Sequence, residues 1–280
     1  MDAINRSSLV RALPRPSVGP LVVALFALVF LVFLFGPLVV LFLWSIARTW
    51  FWPSAVPTAF SFDWYSFALN VPGVLASLRT SLLVAVIVVV TTTVVALPAA
   101  YAIARLDFLG RAAIRMLFAL PLMVPYIAIG VGVATAFYRL KLVGTLPGVV
   151  LAHSIVTLPF GVLILTAALE SLERSIEEAA ATCGAGIWRR FLTITLPLIA
   201  PAILAQAIYV FTLSMDEFTL TLLVSSADTA TLPVRIFGAI TEGYIQISSA
   251  LAILLLVPSL LLIFVMVRYL KAEYLTVGGV

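Results

Sequence analysis

Hydrophobic residues in this chain come in long blocks, and the short segments between them collect most of the charge. A helix that crosses the bilayer core needs roughly 20 mostly apolar residues. Six runs meet that requirement, at 21–45, 77–103, 114–138, 148–169, 198–224 and 247–270. The pattern predicts an all-α membrane protein with six transmembrane helices. The second run holds Arg79 near its start and the fifth ends in Asp216 and Glu217, so neither is apolar throughout. The first run follows a basic tail (Arg6, Arg11, Arg15) in the manner of a signal peptide, but its apolar core is too long for one. It reads as a retained span.

Several predicted spans contain proline: Pro37, Pro98, Pro121 and Pro125, Pro159, and Pro258. Proline removes a backbone donor and kinks a helix, and neighbouring helices or water must offset that cost. Two readings stay open: membrane helices tolerate proline, or kinked spans surround a pathway that opens and closes. Between spans one and two, Trp50, Trp52, Trp64 and Tyr65 suit the membrane–water interface. That stretch is expected to be an outer loop with short interfacial helices and no separate domain.

Composition agrees. Hydrophobic residues make up 64% of the 280, charged residues 10%, and mean hydropathy is +1.23. A soluble domain carries about a quarter charged residues, so this chain has too few to build a water-facing surface. The one cysteine, Cys183, excludes an internal disulfide and any cysteine-built metal site. His153, the lone histidine, sits in an apolar run and reads as a helix-packing residue. The net charge of +4 is dispersed through short loops, which is a topology signal and not a nucleic-acid stripe. With the N-terminus inside, 11 of the 16 basic residues fall on the inner face and 5 on the outer. Basic residues are retained inside, so both termini are expected in the cytoplasm.

One segment breaks the pattern. EEAAATCGAGIWRRFLTITLPLIAP, Glu177 to Pro201, is polar and tightly punctuated between two apolar runs. It reads as a short helix with Ser171 as N-cap and a Glu170–Arg174 pair at i,i+4. A corner at Gly184 and Gly186 follows, then a second short helix, IWRRFLTITL, before Pro197 starts span five. Ala180 and Gly184, and Ala181 and Ala185, are four apart, so small residues line adjoining helix faces and admit close approach by another helix. A hairpin without function is the plain structural alternative.

The spacing carries a resemblance. Glu178-Ala179-Ala180, then Gly184, then Ile194, Leu196 and Pro197 match EAA-x3-G-x9-I-x-L-P at every fixed position. This resembles the EAA signature of ABC-importer permeases, the inner-membrane components of binding-protein-dependent transport, and the likeness runs from span two to span six. It implies a type I (MetI-like) permease: a cytoplasmic N-terminal tail (1–20), one six-helix domain (21–270) and a cytoplasmic C-terminal tail (271–280). Residues 170–197 would form a cytoplasmic coupling loop that docks in a groove of a separate ATP-binding subunit. No G-x4-GK[ST] loop is present, so ATP and Mg belong to that ATPase partner, and this chain needs no cofactor and is not an enzyme. Further implied partners are a homologous second permease and a periplasmic or extracellular solute-binding protein.

Phe211 to Phe237, with Leu213-Ser214-Met215-Asp216-Glu217 and Thr231-Leu232-Pro233-Val234-Arg235, resembles the second permease subunit of spermidine and putrescine importers. Importers of ferric iron, thiamine and phosphonates belong to the same broad subgroup. Carboxylates are costly within a membrane. Asp216 and Glu217 therefore either line the outer end of a cation path or cap span five and pair with Arg235. Tyr209, Phe211, Met215 and Phe218 either line that path, with cation–π capacity, or pack between helices. Glu242 and Tyr244, in the outer loop before span six, are placed to meet the binding protein. An ion-gradient transporter predicts inverted repeats and buried mid-membrane ionisable residues. A membrane enzyme needs a convergent nucleophile and base. The sequence displays neither pattern.

Overall fold

The computed structural model describes residues 18–50 and 53–277. The basic tail with Arg6, Arg11 and Arg15, together with Phe51, Trp52 and residues 278–280, lies outside them. Among the described residues, five single helices are long and apolar enough to cross a membrane: α1 (Val18–Ile46), α3 (Val74–Arg105), α6 (Leu146–Ser171), the run Ile187–Met215 that ends in α9 (Leu196–Met215), and α12 (Ile245–Val277). The sixth crossing is broken. α4 (Arg111–Ala119) and the 3-10 turn Leu120–Met123 meet α5 (Tyr126–Arg139) at 103°. α4 touches the C-terminal end of α6 through Arg115 and Glu170, while α5 leads into the N-terminal end of α6. The bent pair therefore covers the same depth as a straight span.

The break differs from the continuous helix expected over 114–138, and its cause is local. Pro121 and Pro125 lie four apart, and the residue before a proline is pushed out of the helical region. Val124 is extended at φ −96° and ψ 132°, and Pro125 follows at ψ 134°. By contrast, Pro37, Pro98, Pro159 and Pro258 each remain inside an unbroken helix. Span five ends at Met215, not 224, because Thr219–Val224 forms a separate short helix, α10. α12 continues to Val277, past the expected boundary at 270.

At the centre α3 and α6 run parallel, with α9 antiparallel to both. Ala100, Ile103 and Ala104 of α3 pack on Leu165 and Leu169 of α6 and Ile199 of α9 at one end. Val84 and Val88 meet Val149, Val150 and Val210 toward the other. α3 presents a stripe of small residues here: Ser81, Ala85, Val88, Thr92, Ala96 and Ala100 are all buried. Without a hydrophobic difference between helix and lipid, close packing of small residues is what holds membrane helices together. Gly161 of α6 fits into this stripe, and a Cβ there would come within 2.8 Å of Thr92 and 3.2 Å of Ala96. α1 is almost wholly exposed and rests on α12 and α2 (Asp63–Asn70).

The stretch between spans one and two forms a small antiparallel pair, β1 (Ala47–Thr49) with β2 (Ala59–Phe60), followed by α2. Its aromatics tie it down. The Trp64 indole donates to the Ala47 carbonyl at 2.8 Å, Tyr65 pairs with Ser45 at 2.8 Å, and Trp44 stacks on Trp50 with centroids 4.6 Å apart.

Candidate functional site

The polar loop stands at one end of the bundle, hereafter the motif end. α7 (Arg174–Thr182) leaves α6 through Leu172, which is extended. Glu173 takes the N-cap position that Ser171 was expected to hold; the Ser171 hydroxyl instead donates back to Ala168. α7 closes at Gly184, whose φ of +83° only glycine adopts without strain. Its amide bonds to Ala181 at 2.9 Å and the Ala185 amide to Ala180 at 3.0 Å, satisfying the last carbonyls of the helix. A Cβ on Gly184 would meet nothing within 4 Å, so the demand there is conformational and not steric.

The second short helix is not a separate piece. α8 (Ile187–Arg190) passes through a π-turn, Phe191–Thr195, straight into α9. Pro197 lies in the first turn of α9 and cannot donate to the Thr193 carbonyl. The backbone widens immediately before it, and such π-turns recur at functional sites.

Of the adjacent acids in α7, Glu177 turns inward. Its carboxylate lies 3.3 Å from Arg105 Nε at the end of α3, with the two side chains 13% and 5% exposed. Thr195 donates its hydroxyl to Glu177 Oε1 at 2.8 Å, and Arg190 donates to the Glu177 carbonyl at 3.3 Å. Arg105 also donates to the Leu172 carbonyl, and Arg174 to that of Ala104. Arg174 therefore does not pair with Glu170; Glu170 meets Arg115 and Arg111 of α4. These contacts bind α7 to the bases of α3, α6 and α9. Glu178 and Ala179 are exposed, Ala180 is half-buried, and Gly184 and Pro197 face outward. Ile194 and Leu196 are half-buried against the bundle. The resemblance picked out Glu178. The anchors Glu177, Arg105, Thr195 and Arg190 escaped it, although an arginine ending an apolar run and a second acid one residue away were visible signals.

At the opposite, distal end a second acid pair sits where α9 turns into α10. Asp216 is exposed. Glu217 caps α10, accepting the amides of Leu220 at 2.7 Å and Thr221 at 3.0 Å and the Thr221 hydroxyl at 2.7 Å. Its other neighbour is His153, 3.4 Å away and fully buried, whose two ring nitrogens bond to Ser214 and Thr221 at 2.8 and 2.7 Å. His153 thus locks α6, α9 and α10 together. Arg235 makes no ion pair with either acid and bonds instead to Ser77 and the Ala227 carbonyl.

The remaining pathway candidates separate by helix face. Ala205, Tyr209, Leu213 and Asp216 form a stripe on α9 that the rest of the chain leaves partly or fully open. Tyr209 packs on Phe160 at 5.2 Å, and Asp216 shares a small hollow with Tyr126, Leu213 and Phe218. Phe211 and Met215 point the other way and are buried against Leu82, Ala85, Leu255 and Leu262.

Comparison with known proteins settles the class. Residues 93–274 match the family described as "Binding-protein-dependent transport system inner membrane component". The chain belongs to this family. It is an ABC-importer permease subunit, a multi-pass inner-membrane protein and not an enzyme. Among relatives, PhnV of Salmonella typhi, assigned to 2-aminoethylphosphonate transport, is 29% identical over 247 residues (88% of this chain, 93% of that one). The molybdenum transport permease ModB of Haemophilus influenzae is 30% identical over 204 residues (67% and 89%), and the putrescine transport permease PotI of Escherichia coli K12 is 28% identical over 231 (80% and 82%). The structure of a bacterial ABC transporter that imports alginate superposes with a TM-score of 0.74 at 19% identity, covering 90% of this chain and 96% of that one. That likeness shows the fold.

Proposed function

We propose that this permease works with a separate ATPase dimer, a homologous second permease and a solute-binding protein to import a small charged solute, with polyamines as the favoured class. The motif end then faces the cytoplasm, both termini lie inside, and ATP and Mg are held by the ATPase. The observation that carries this reading is the division of labour in α7. Glu177 fastens the helix to α3 and α9, while Glu178, Ala179 and Gly184 present an open surface to a partner. A displacement of α7 by the ATPase would be passed to α3 through Arg105 and to α9 through Thr195 and the π-turn.

For the solute, the open α9 stripe supports the polyamine reading. Asp216 supplies a carboxylate beside Tyr126, Leu213 and Phe218, with Tyr209, packed on Phe160, further along the same α9 stripe, a setting for an alkylammonium chain. Phe211 and Met215 brace α9 from behind and Glu217 holds the turn. A second reading, an anionic solute such as a phosphonate, is favoured by the PhnV match, which extends over more of the chain than the PotI match. The test is uptake by the reconstituted complex with each solute loaded on the cognate binding protein. Polyamine-stimulated ATP hydrolysis that falls about tenfold or more in Asp216→Asn, with assembly intact, is expected. Stimulation by a phosphonate and none by spermidine or putrescine would replace the polyamine reading with the anionic one.

A further inference from the structure

A cavity of about 700 Å³ opens at the distal end between α2, α3, α12 and the turn from α10 into α11 (Leu232–Thr241). Phe67, Val71, Leu222 and Leu251 give it largely apolar walls, and among the described residues the charged ones lining it are Arg235 and Glu242. It shares no lining residue with the hollow beside Asp216, so it is separate from the proposed solute path.

Arg235 is held ready without being neutralised. Its Nε donates to the Ser77 hydroxyl and its Nη2 to the Ala227 carbonyl, each at 3.2 Å, and no carboxylate lies within ion-pair distance among the described residues. The guanidinium lies against Gly73, where a Cβ would come within 2.8 Å of Nη2. Two neutral acceptors fix its plane, and the remaining N–H groups and the whole charge stay uncompensated. A guanidinium in that condition suits bidentate recognition of a carboxylate. Glu242 on the same cavity carries the opposite sign, so a fitting occupant offers an acid to Arg235 and a base or hydrogen-bond donor to Glu242. A protein surface offers such a pair, whereas a small free anion does not.

We propose that this cavity receives an acidic side chain of the solute-binding protein, with Arg235 as its contact. The proposal rests on the reading above, in which the distal end faces that protein. The test uses the complete reconstituted transporter and solute-loaded binding protein, titrated while ATP hydrolysis is followed. Arg235→Gln removes the charge, Arg235→Lys keeps it without the fork, and Gly238→Phe fills part of the cavity while keeping the Arg235 charge. Gly238 lines the cavity and a Cβ there meets nothing within 4 Å, so this last variant is expected to fold. Arg235→Gln and Gly238→Phe should each raise the half-maximal binding-protein concentration by about tenfold. The lysine variant should fall between, and basal and maximal hydrolysis should be retained. An unchanged half-maximal concentration in both, or a loss confined to the maximal rate, overturns the proposal. A wild-type complex that the binding protein fails to stimulate overturns the importer reading first, and this inference with it.

Discussion

The two ends of the bundle each carry a pair of neighbouring acids, Glu177–Glu178 at the motif end and Asp216–Glu217 at the distal end. In both pairs one carboxylate is absorbed by the fold and the other is left open. Successive residues on a helix point about 100° apart, which separates Glu177 from Glu178 within α7; Asp216 and Glu217 part at the turn from α9 into α10. The anchored member meets cations, hydroxyls or backbone amides, which offset its desolvation: Arg105 and Thr195 for Glu177, the α10 amides for Glu217. The open member makes no such contact with the described residues and is available to something outside the chain. The ends differ in what the anchor holds. Glu177 ties a projecting helix to two spans, α3 and α9, whereas Glu217 holds one turn of backbone in place.

That contrast can be broken experimentally, and the largest effect is expected at the motif end. Arg105→Ala leaves Glu177 buried without its cation, a loss of about 3–5 kcal/mol for pairs of this kind. It should appear as a marked fall in the detergent-solubilised melting temperature. Glu217→Ala removes a cap and should cost about 0.5–2 kcal/mol, read by the same melting assay. Equal shifts in the two variants would erase the distinction between a strut and a cap. Gly184→Val forces a β-branched residue to positive φ, at a cost of about 1–3 kcal/mol. Transport should be uncoupled while the subunit still inserts, as compared by uptake and membrane yield. Glu178→Ala and Asp216→Asn are expected to move stability by no more than about 0.5 kcal/mol, with their effects visible only in transport-coupled ATP hydrolysis.

Much of this architecture was legible in the chain. The six apolar blocks located six crossings, because a crossing demands a long hydrophobic run. What the blocks did not reveal was where a crossing bends. The prolines in the predicted spans looked alike, yet only Pro121 and Pro125, four residues apart, broke the helix. α10 was hidden inside the fifth run because an apolar sequence looks the same before and after a turn that Glu217 caps. The motif residues were found by spacing, but their anchors were not. Arg105 lies 72 positions from Glu177 in the chain, and only tertiary packing brings the two together. Tyr209 and Phe211 have the same kind of side chain two residues apart, and only the packed helix shows that one faces out and the other in.

The central claim is that the exposed face of α7 meets a partner ATPase while the other face holds the bundle. Single-cysteine crosslinking in assembled complexes tests it most directly, with Cys183 replaced by serine and a cysteine placed at 178 or at 177. The account predicts a crosslinked product with the ATPase from position 178, sensitive to ATP, and little or none from position 177. Equal products from both positions, or none from 178 in a complex that still hydrolyses ATP on demand, would contradict it.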